Sequence, residues 1–359
     1  MEAMNKYIAT SLMLLTLALA NVSLAYTTAS KHLDHPDDWY RTDEAKKMAD
    51  SVLSFQSPRG AWPKNIDTAT QPYAGAKENL DGTFDNGATT FELRFLARMA
   101  TANPADDRYK QAFGKGLDHI LEAQYPNGGW PQFYPPGDGY HRYITFNDGA
   151  MARLMFFLRD VAKDDKIFGF VDADHRAKCK AAWDKGVDCI LKCQVKQDGK
   201  PTVWCAQHDE KDFSPKPART FEPASLSGSE SIGLVHVLMA VENPSPQIIA
   251  AVDGARDYFE KVKIAGIKTE DRKQDGTPRG YDRFVVEDPS APPMWARFYE
   301  LGTNKPIFLD RDSVVKYKLS DIGIERRTGY KWLGYWPQNF LEKEYPEWKA
   351  KLGAATSSR

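Results

Sequence analysis

The segment Gln124-Tyr125-Pro126-Asn127-Gly128-Gly129-Trp130-Pro131 decides the reading of this chain, because it recurs. An earlier copy is Gln56-Ser57-Pro58-Arg59-Gly60-Ala61-Trp62-Pro63, and a looser one is Gln194-Val195-Lys196-Gln197-Asp198-Gly199-Lys200-Pro201. Each follows a stretch with apolar residues at helical spacing: Val52 and Phe55, then Ile120 and Leu121, then Ile190 and Leu191. Gly and Pro stop each helix and open a loop. A second motif keeps step with the first. Thr83-Phe84-Asp85-Asn86-Gly87-Ala88 matches Thr145-Phe146-Asn147-Asp148-Gly149-Ala150, and Thr220-Phe221-Glu222-Pro223-Ala224-Ser225 reads as a weaker third copy. Each copy runs into another helical stretch.

The unit is therefore helix, loop, helix, repeating at roughly seventy residues, and such a unit hides its apolar face only against its neighbours. The expectation is a mainly α fold. Three helix pairs in a ring would bring the starts of the second helices, and with them the Thr-Phe-Asx-Asx copies, to one mouth. After about residue 265 the texture becomes loop-rich, with Pro289, Pro292, Pro293 and Pro306 and short strand-like runs such as Arg283-Phe284-Val285-Val286. This C-terminal part is expected to lie across the helical body rather than form a domain of its own.

The whole chain has 359 residues, 48 basic against 49 acidic, and 42% hydrophobic residues. That composition argues against disorder and against a coiled coil. A net charge of −1 gives no support to a nucleic-acid binder, which would be basic overall. Lys6, the apolar run from Ile8 to Ala20 and the small residues Ser23 and Ala25 read as an export signal cut after Ala25. Residues 26–359 would then be a single mature domain outside the cytoplasm, secreted or periplasmic, with no membrane span and expected as a monomer. In that setting Cys179, Cys189, Cys193 and Cys205 could form local disulfides, Cys193 with Cys205 for example, or stay as buried thiols.

Asp85 and Asp148 stand at matching places in two copies. Either caps a helix, which needs one oxygen, or serves chemistry. Arg219, in the loop before Thr220-Phe221, falls at the same mouth; Arg297 lies among aromatics in Trp295-Ala296-Arg297-Phe298-Tyr299, and Arg311 between Asp310 and Asp312. Arginine among aromatics suits bidentate recognition of carboxylates, so the cluster suits an acidic polymer. His208 is a loop histidine that could line the mouth. No P-loop, G-x-G-x-x-G, G-x-S-x-G or H-E-x-x-H motif is present.

Together these motifs resemble the pectate lyases of polysaccharide lyase family 10. The matching text is Gly60-Ala61-Trp62-Pro63-Lys64-Asn65, Thr83 to Thr90, Asn127 to Gln132, Ile144 to Met151, Trp295 to Glu300 and Phe308 to Asp312. The resemblance implies an (α/α)-toroid with a β-containing C-terminal part, and calcium-dependent β-elimination on polygalacturonate. It implies Asp148 as a Ca²⁺ ligand, with Asp85 and Asn86 beside it at the substrate–metal site. Arg219 would be the base; Arg297 and Arg311 would hold uronate carboxylates, with Arg326 as a companion. Two other readings compete: a hydrolase on a helical toroid using Asp85 and Asp148, and a non-catalytic binder of acidic glycans.

Overall fold

The computed structural model describes residues 28–357, so the expected export signal lies outside the described residues. Eight longer helices follow one another: α1 (Asp43–Ser54), α2 (Thr90–Ala102), α3 (Asp107–Ala123), α4 (Ala150–Lys163), α5 (Ala173–Cys193), α6 (Glu230–Met239), α7 (Pro246–Val262) and α8 (Tyr345–Ser357). No helix of the described residues is long and apolar enough to cross a membrane. The protein is mainly helical, as the repeat pattern predicts, with a C-terminal region of loops and short strands.

Helix α2 packs on α3, α4 on α5 and α6 on α7; α2 also meets α4, and α4 meets α6. Helices α2 and α4 are buried nearly all round. Leu93, Phe95, Leu96, Ala97 and Met99 of α2 are all sealed from solvent, as are Met151, Leu154, Met155, Phe157 and Leu158 of α4. Helices α3 and α5 bury one face.

The repeated loops supply the joints between units. Gln56 donates to the carbonyls of Gly60 (2.9 Å) and of Ala112 (2.8 Å) in α3. Gln124 repeats this on Gly128 (3.0 Å) and Ala182 (2.9 Å) of α5, and Gln194 on Thr202 (2.8 Å) and Ala251 (2.8 Å) of α7. One amide thus ties its own loop and grips the next odd-numbered helix. The loops lie so close to those helices that a Cβ at Gly60 or Gly128 would sit 2.5 Å from Lys115 O or 2.1 Å from Lys185 O, and both glycines have positive φ. Glycine alone fits there.

Tryptophans lock the same loops. The indole N–H of Trp62 donates to Val52 O, that of Trp130 to Ile120 O and that of Trp204 to Ile190 O, at 2.7–2.8 Å. The backbone carbonyls of Trp62, Trp130 and Trp204 in turn accept from Thr83 N, Thr145 N and Ser227 N. The third copy of the second motif is therefore centred on Leu226-Ser227-Gly228-Ser229-Glu230. The expected copy, Thr220-Phe221-Glu222, sits in an inserted loop before it. The bond to the tryptophan carbonyl fixes the equivalence, and the third copy has lost the Asx residues that mark the other two.

The C-terminal region runs across the helices. The hairpin Ile267–Lys273 with Tyr281–Glu287 is antiparallel and includes the expected strand at Arg283-Phe284-Val285-Val286. Trp295-Ala296 pairs with Leu333-Gly334, while Phe298-Tyr299 pairs with Leu226-Ser227. The indole of Trp295 bonds Phe259 O of α7 at 2.9 Å, a fourth use of the same anchor. All four cysteines are buried free thiols. The possible Cys193–Cys205 disulfide is not formed, and burial pushes the Cys179 thiol up to about 12.

Candidate active site

Helices α1, α3, α5 and α7 each begin with a side-chain cap. Thr42 accepts from Ala45 N, Asp106 from Arg108 N, Asp172 from His175 N and Ser245 from Ile248 N. The N-cap residues of α2, α4 and α6, namely Thr89, Gly149 and Ser229, make no such bond. Just before two of these helices lie the turns Asp85–Gly87 and Asn147–Gly149, packed on each other. Asn86 and Asp148 hold φ of +53° and +48°, a region that Asn and Asp tolerate because their short side chains bond locally. Asp85 thus aligns with Asn147, and Asn86 with Asp148. The two aspartates are one position out of step, and neither caps a helix.

Their surroundings differ. Asp85 is 3% exposed. One carboxylate oxygen, Oδ2, pairs with Lys64 Nζ and accepts from Gln132 Nε2 at 2.8 Å. Its Oδ1 and the Oε1 of Gln132 are buried acceptors with no donor. Asn86 donates to Asn65 Oδ1 at 3.0 Å. Asp148 is more open; its Oδ1 accepts from Arg297 Nη2 at 3.0 Å and its Oδ2 from Asn147 at 2.7 Å. Its backbone N–H points at Glu230 Oε1, 3.4 Å away, and its carbonyl pairs with Arg153.

Arg297 is placed by backbone on both sides. Its N–H donates to Trp332 O at 2.7 Å and its carbonyl accepts from Gly228 N at 3.0 Å. Its guanidinium bridges Asp148 and the buried Glu230, which also accepts from Ser227 Oγ at 2.6 Å. Burial disfavours the Arg297 charge, but Glu230 and Asp148 overcome it and raise its pKa. The Arg297 guanidinium lies over the Tyr330 ring at 4.6 Å.

Tyr330 carries the site onward. Its hydroxyl donates to Glu222 Oε1 at 2.8 Å. Glu222 is buried, and burial pushes its carboxyl up, yet Arg219 and Tyr330 more than offset this and hold it below the usual range. Arg219 grips Glu222 with two nitrogens, Nε at 2.8 Å and Nη2 at 2.5 Å. The Glu222 carboxylate therefore raises the Arg219 pKa. Three guanidinium groups gather on one ring: Arg326 lies 4.5 Å, Arg219 4.8 Å and Arg311 5.7 Å from the centroid of Phe221. Arg326 and Arg311 share Glu325, whose carboxyl they hold down at about 2.

The structure thus joins Asp148, Arg297, Arg219, Arg311 and Arg326 in one continuous polar network, with Asp85 and Asn86 in the adjoining turn. Sequence reasoning missed its connectors: Glu222, Glu230, Tyr330, Lys64 and Gln132. Lys64 and Gln132 each directly follow a Trp-Pro pair, a signal that was available. Tyr330 offered none. His208 is removed from the mouth. It is fully buried, bonded to Cys205 N and Phe213 O, and burial takes its pKa down to about 4.

Comparison with known proteins now adds to this geometry. A model of the family described as pectic acid lyase matches residues 56–341. The chain belongs to the pectic acid lyase family. A solved family 10 polysaccharide lyase from Cellvibrio cellulosa is 35% identical, with a TM-score of 0.75 over 90% of this chain and 97% of that one. A point mutant of a family 10 polysaccharide lyase from Cellvibrio cellulosa, solved in complex with trigalacturonic acid, is likewise 35% identical, with a TM-score of 0.75 over 88% of this chain and 95% of that one. A comparison with curated proteins finds no match. The protein is accordingly an enzyme and a lyase, and the hydrolase and simple-binder readings fall.

An oxygen-only set suits a hard cation, and the unanswered acceptors Asp85 Oδ1 and Gln132 Oε1 fit one. Among the described residues, one cluster has three metal-ligating side chains close together: Asp172, Asp174 and His175, which could chelate a divalent ion. It lies at the start of α5, apart from the network, and Asp172 there already caps the helix.

Proposed function

We propose that this lyase cleaves polygalacturonate by calcium-dependent β-elimination, leaving a 4,5-unsaturated uronate at the new end. Residues 26–359 are read as one exported catalytic domain, secreted or periplasmic, with its helix pairs set as an (α/α)-toroid. What carries the substrate assignment is the gathering of Arg219, Arg311 and Arg326 on the Phe221 ring. A neutral glycan gives no use for three guanidinium groups; a chain with one carboxylate per sugar does.

In this reading Arg297, Arg311 and Arg326 hold uronate carboxylates, which draws electron density from C5 and stabilises the enolate-like charge as it forms. Asp85 and Asp148 provide the oxygens for Ca²⁺, with Asn86 and Gln132 beside them. When bound there, Ca²⁺ supplies Lewis-acid polarisation of the same carboxylate. Neutral Arg219 takes the C5 proton, the C5–H electron pair becomes the C4–C5 double bond, and the C4–O bond breaks with its electron pair going to the glycosidic oxygen, which takes a proton from water. Glu222 keeps Nε and Nη2 of Arg219 engaged, leaving Nη1 for the substrate. That pairing opposes loss of the guanidinium proton, whereas Arg311 and Arg326 on the same ring and a bound cation favour it. Turnover is therefore expected to climb towards alkaline pH.

The test is a purified enzyme with polygalacturonate, followed by the ultraviolet absorbance of the new double bond. Chelator should abolish the signal, and Ca²⁺ rather than Mg²⁺ should restore it. A chain-shortening reaction without that absorbance would sink the elimination; indifference to chelator would sink the calcium.

A further inference from the structure

Buried side-chain polar atoms without a hydrogen-bond partner are rare in folded proteins, and each asks for an explanation. Six of the eleven such atoms in the described residues fall in two places. One is the active site, where Asp85 Oδ1, Gln132 Oε1 and Arg297 Nε are unanswered. The other is a separate groove of about 780 Å³ on the outer side of α7, where Gln197 Nε2, Tyr258 OH and Asn304 Oδ1 are unanswered. The groove shares no residue with the active site.

Three elements make its walls: the short hairpin of Lys196-Gln197 with Lys200-Pro201, helix α7, and the loop after Tyr299 that carries Gly302 and Asn304. Gly254 lets the hairpin approach α7 closely, since a Cβ there would lie 2.6 Å from Pro201 O. Tyr258 is 4% exposed, and its ring is packed edge-on against Phe259 and Tyr299. The phenol is thus fixed while its hydroxyl has nothing to bond. Gln197 offers a donor, Asn304 an acceptor and Tyr258 both, the mixture that sugar hydroxyls answer. The charges are informative as well. Asp253 is held by Tyr345 and Lys349, and Asp257 by Arg256, while Asp198 at the hairpin turn is a third lining carboxylate. Lys200 and Lys261, at opposite walls, have no acidic partner among the described residues.

We propose that this groove is a second saccharide site, which holds a segment of the polygalacturonate chain away from the point of cleavage. Lys200 and Lys261 take carboxylates, and Gln197, Tyr258 and Asn304 take hydroxyls once Gln197 swings aside. The site tethers the enzyme to its polymer and raises the local concentration of cleavable bonds. The inference rests on polygalacturonate being the substrate, but not on the roles assigned to individual active-site residues.

The test compares the native enzyme with Lys200→Ala/Lys261→Ala and, separately, Gln197→Ala. These side chains line a solvent-facing groove, and thermal melts check that the variants stay folded. Migration through a gel containing polygalacturonate reports polymer affinity, and trigalacturonate turnover reports the active site alone. The double variant should lose about tenfold in polymer affinity, as expected from two lost charge contacts, with trigalacturonate kcat/KM within about twofold of native. Unchanged retardation in the polymer gel would overturn the proposal. So would an equal loss of retardation in a gel of neutral galactan, because the carboxylates would then not be what the groove reads. If native enzyme cleaved no polygalacturonate at all, the substrate assignment rather than the groove would have failed.

Discussion

The two ends of the helix pairs are built to opposite rules. At the end where α1, α3, α5 and α7 start, every helix has a serine, threonine or aspartate on its first free N–H groups. At the end where α2, α4 and α6 start, none of the N-cap side chains does this. The carboxylates there are committed elsewhere: Asp85 to Lys64, Asp148 to Arg297, Glu230 to Arg297 and Ser227. Caps contribute about 1 kcal/mol each. The polar groups of the first end serve stability, while those of the second are arranged around one another. The contrast separates the end whose N-cap side chains bond the helix starts from the end whose N-cap side chains do not.

The largest expected break in that contrast comes from Arg219. Arg219→Lys and Arg219→Ala should cut kcat by about a thousandfold or more, as removal of a catalytic base does. The lysine variant should keep most of the melting temperature, and the alanine variant should stay folded but melt lower because the buried Glu222 loses its partner. Near-native turnover in either variant would reject its role.

Arg297→Ala tests whether the site end trades stability for function. It strands Glu230 and Asp148, and removing one partner of a buried pair costs about 3–5 kcal/mol. Denaturant titration should show this loss, together with loss of turnover. A cost under about 1 kcal/mol would mean that the pair behaves as an exposed one.

Acid should attack the same end. Burial holds His208 and His119 at about 4, below the ordinary 6.5. The unfolded chain therefore binds protons between these values that the folded one refuses. Stability is then full above about pH 6.5 and declines as pH falls towards about 4. Melting curves across this window should show the decline, and a His208→Gln variant should lessen it while His119 keeps the remainder. A flat native profile would refute the assignment.

The smallest effect belongs to the capped end. Asp172→Ala should cost about 1 kcal/mol of stability and leave turnover unaltered. A fall in activity, or one reversed by added divalent ion, would give the Asp172-Asp174-His175 cluster a part that the contrast denies it.

Much of this was legible before any coordinates. The Gln and Trp repeats announced the helix pairs because each repeat spells out one joint, and the joint is made of the same hydrogen bonds each time. The third unit was misread at Thr220 because an insertion carries a similar string, whereas the true copy at Ser227 is marked only by its bond to Trp204. Asp85 and Asp148 looked interchangeable; their neighbouring Asx residues hid a one-residue offset that only backbone φ reveals. Arg219, Arg297, Arg311 and Arg326 were singled out, but their partners Glu222 and Tyr330 were not. A buried carboxylate and a phenol meeting across 108 residues leave no local pattern. His208 could be read only as a loop histidine, because nothing in the sequence signals that two backbone groups bury it.

The glutamine joints also give the chain a direction. Gln56, Gln124 and Gln194 each reach forward, to a helix that comes later in synthesis. A nascent chain halted after any one unit would end on an amide still waiting for its carbonyl, with a glycine-lined face uncovered. Shortened versions of this enzyme are therefore not smaller enzymes. They are unfinished ones, because each unit is secured only when the unit after it has been made.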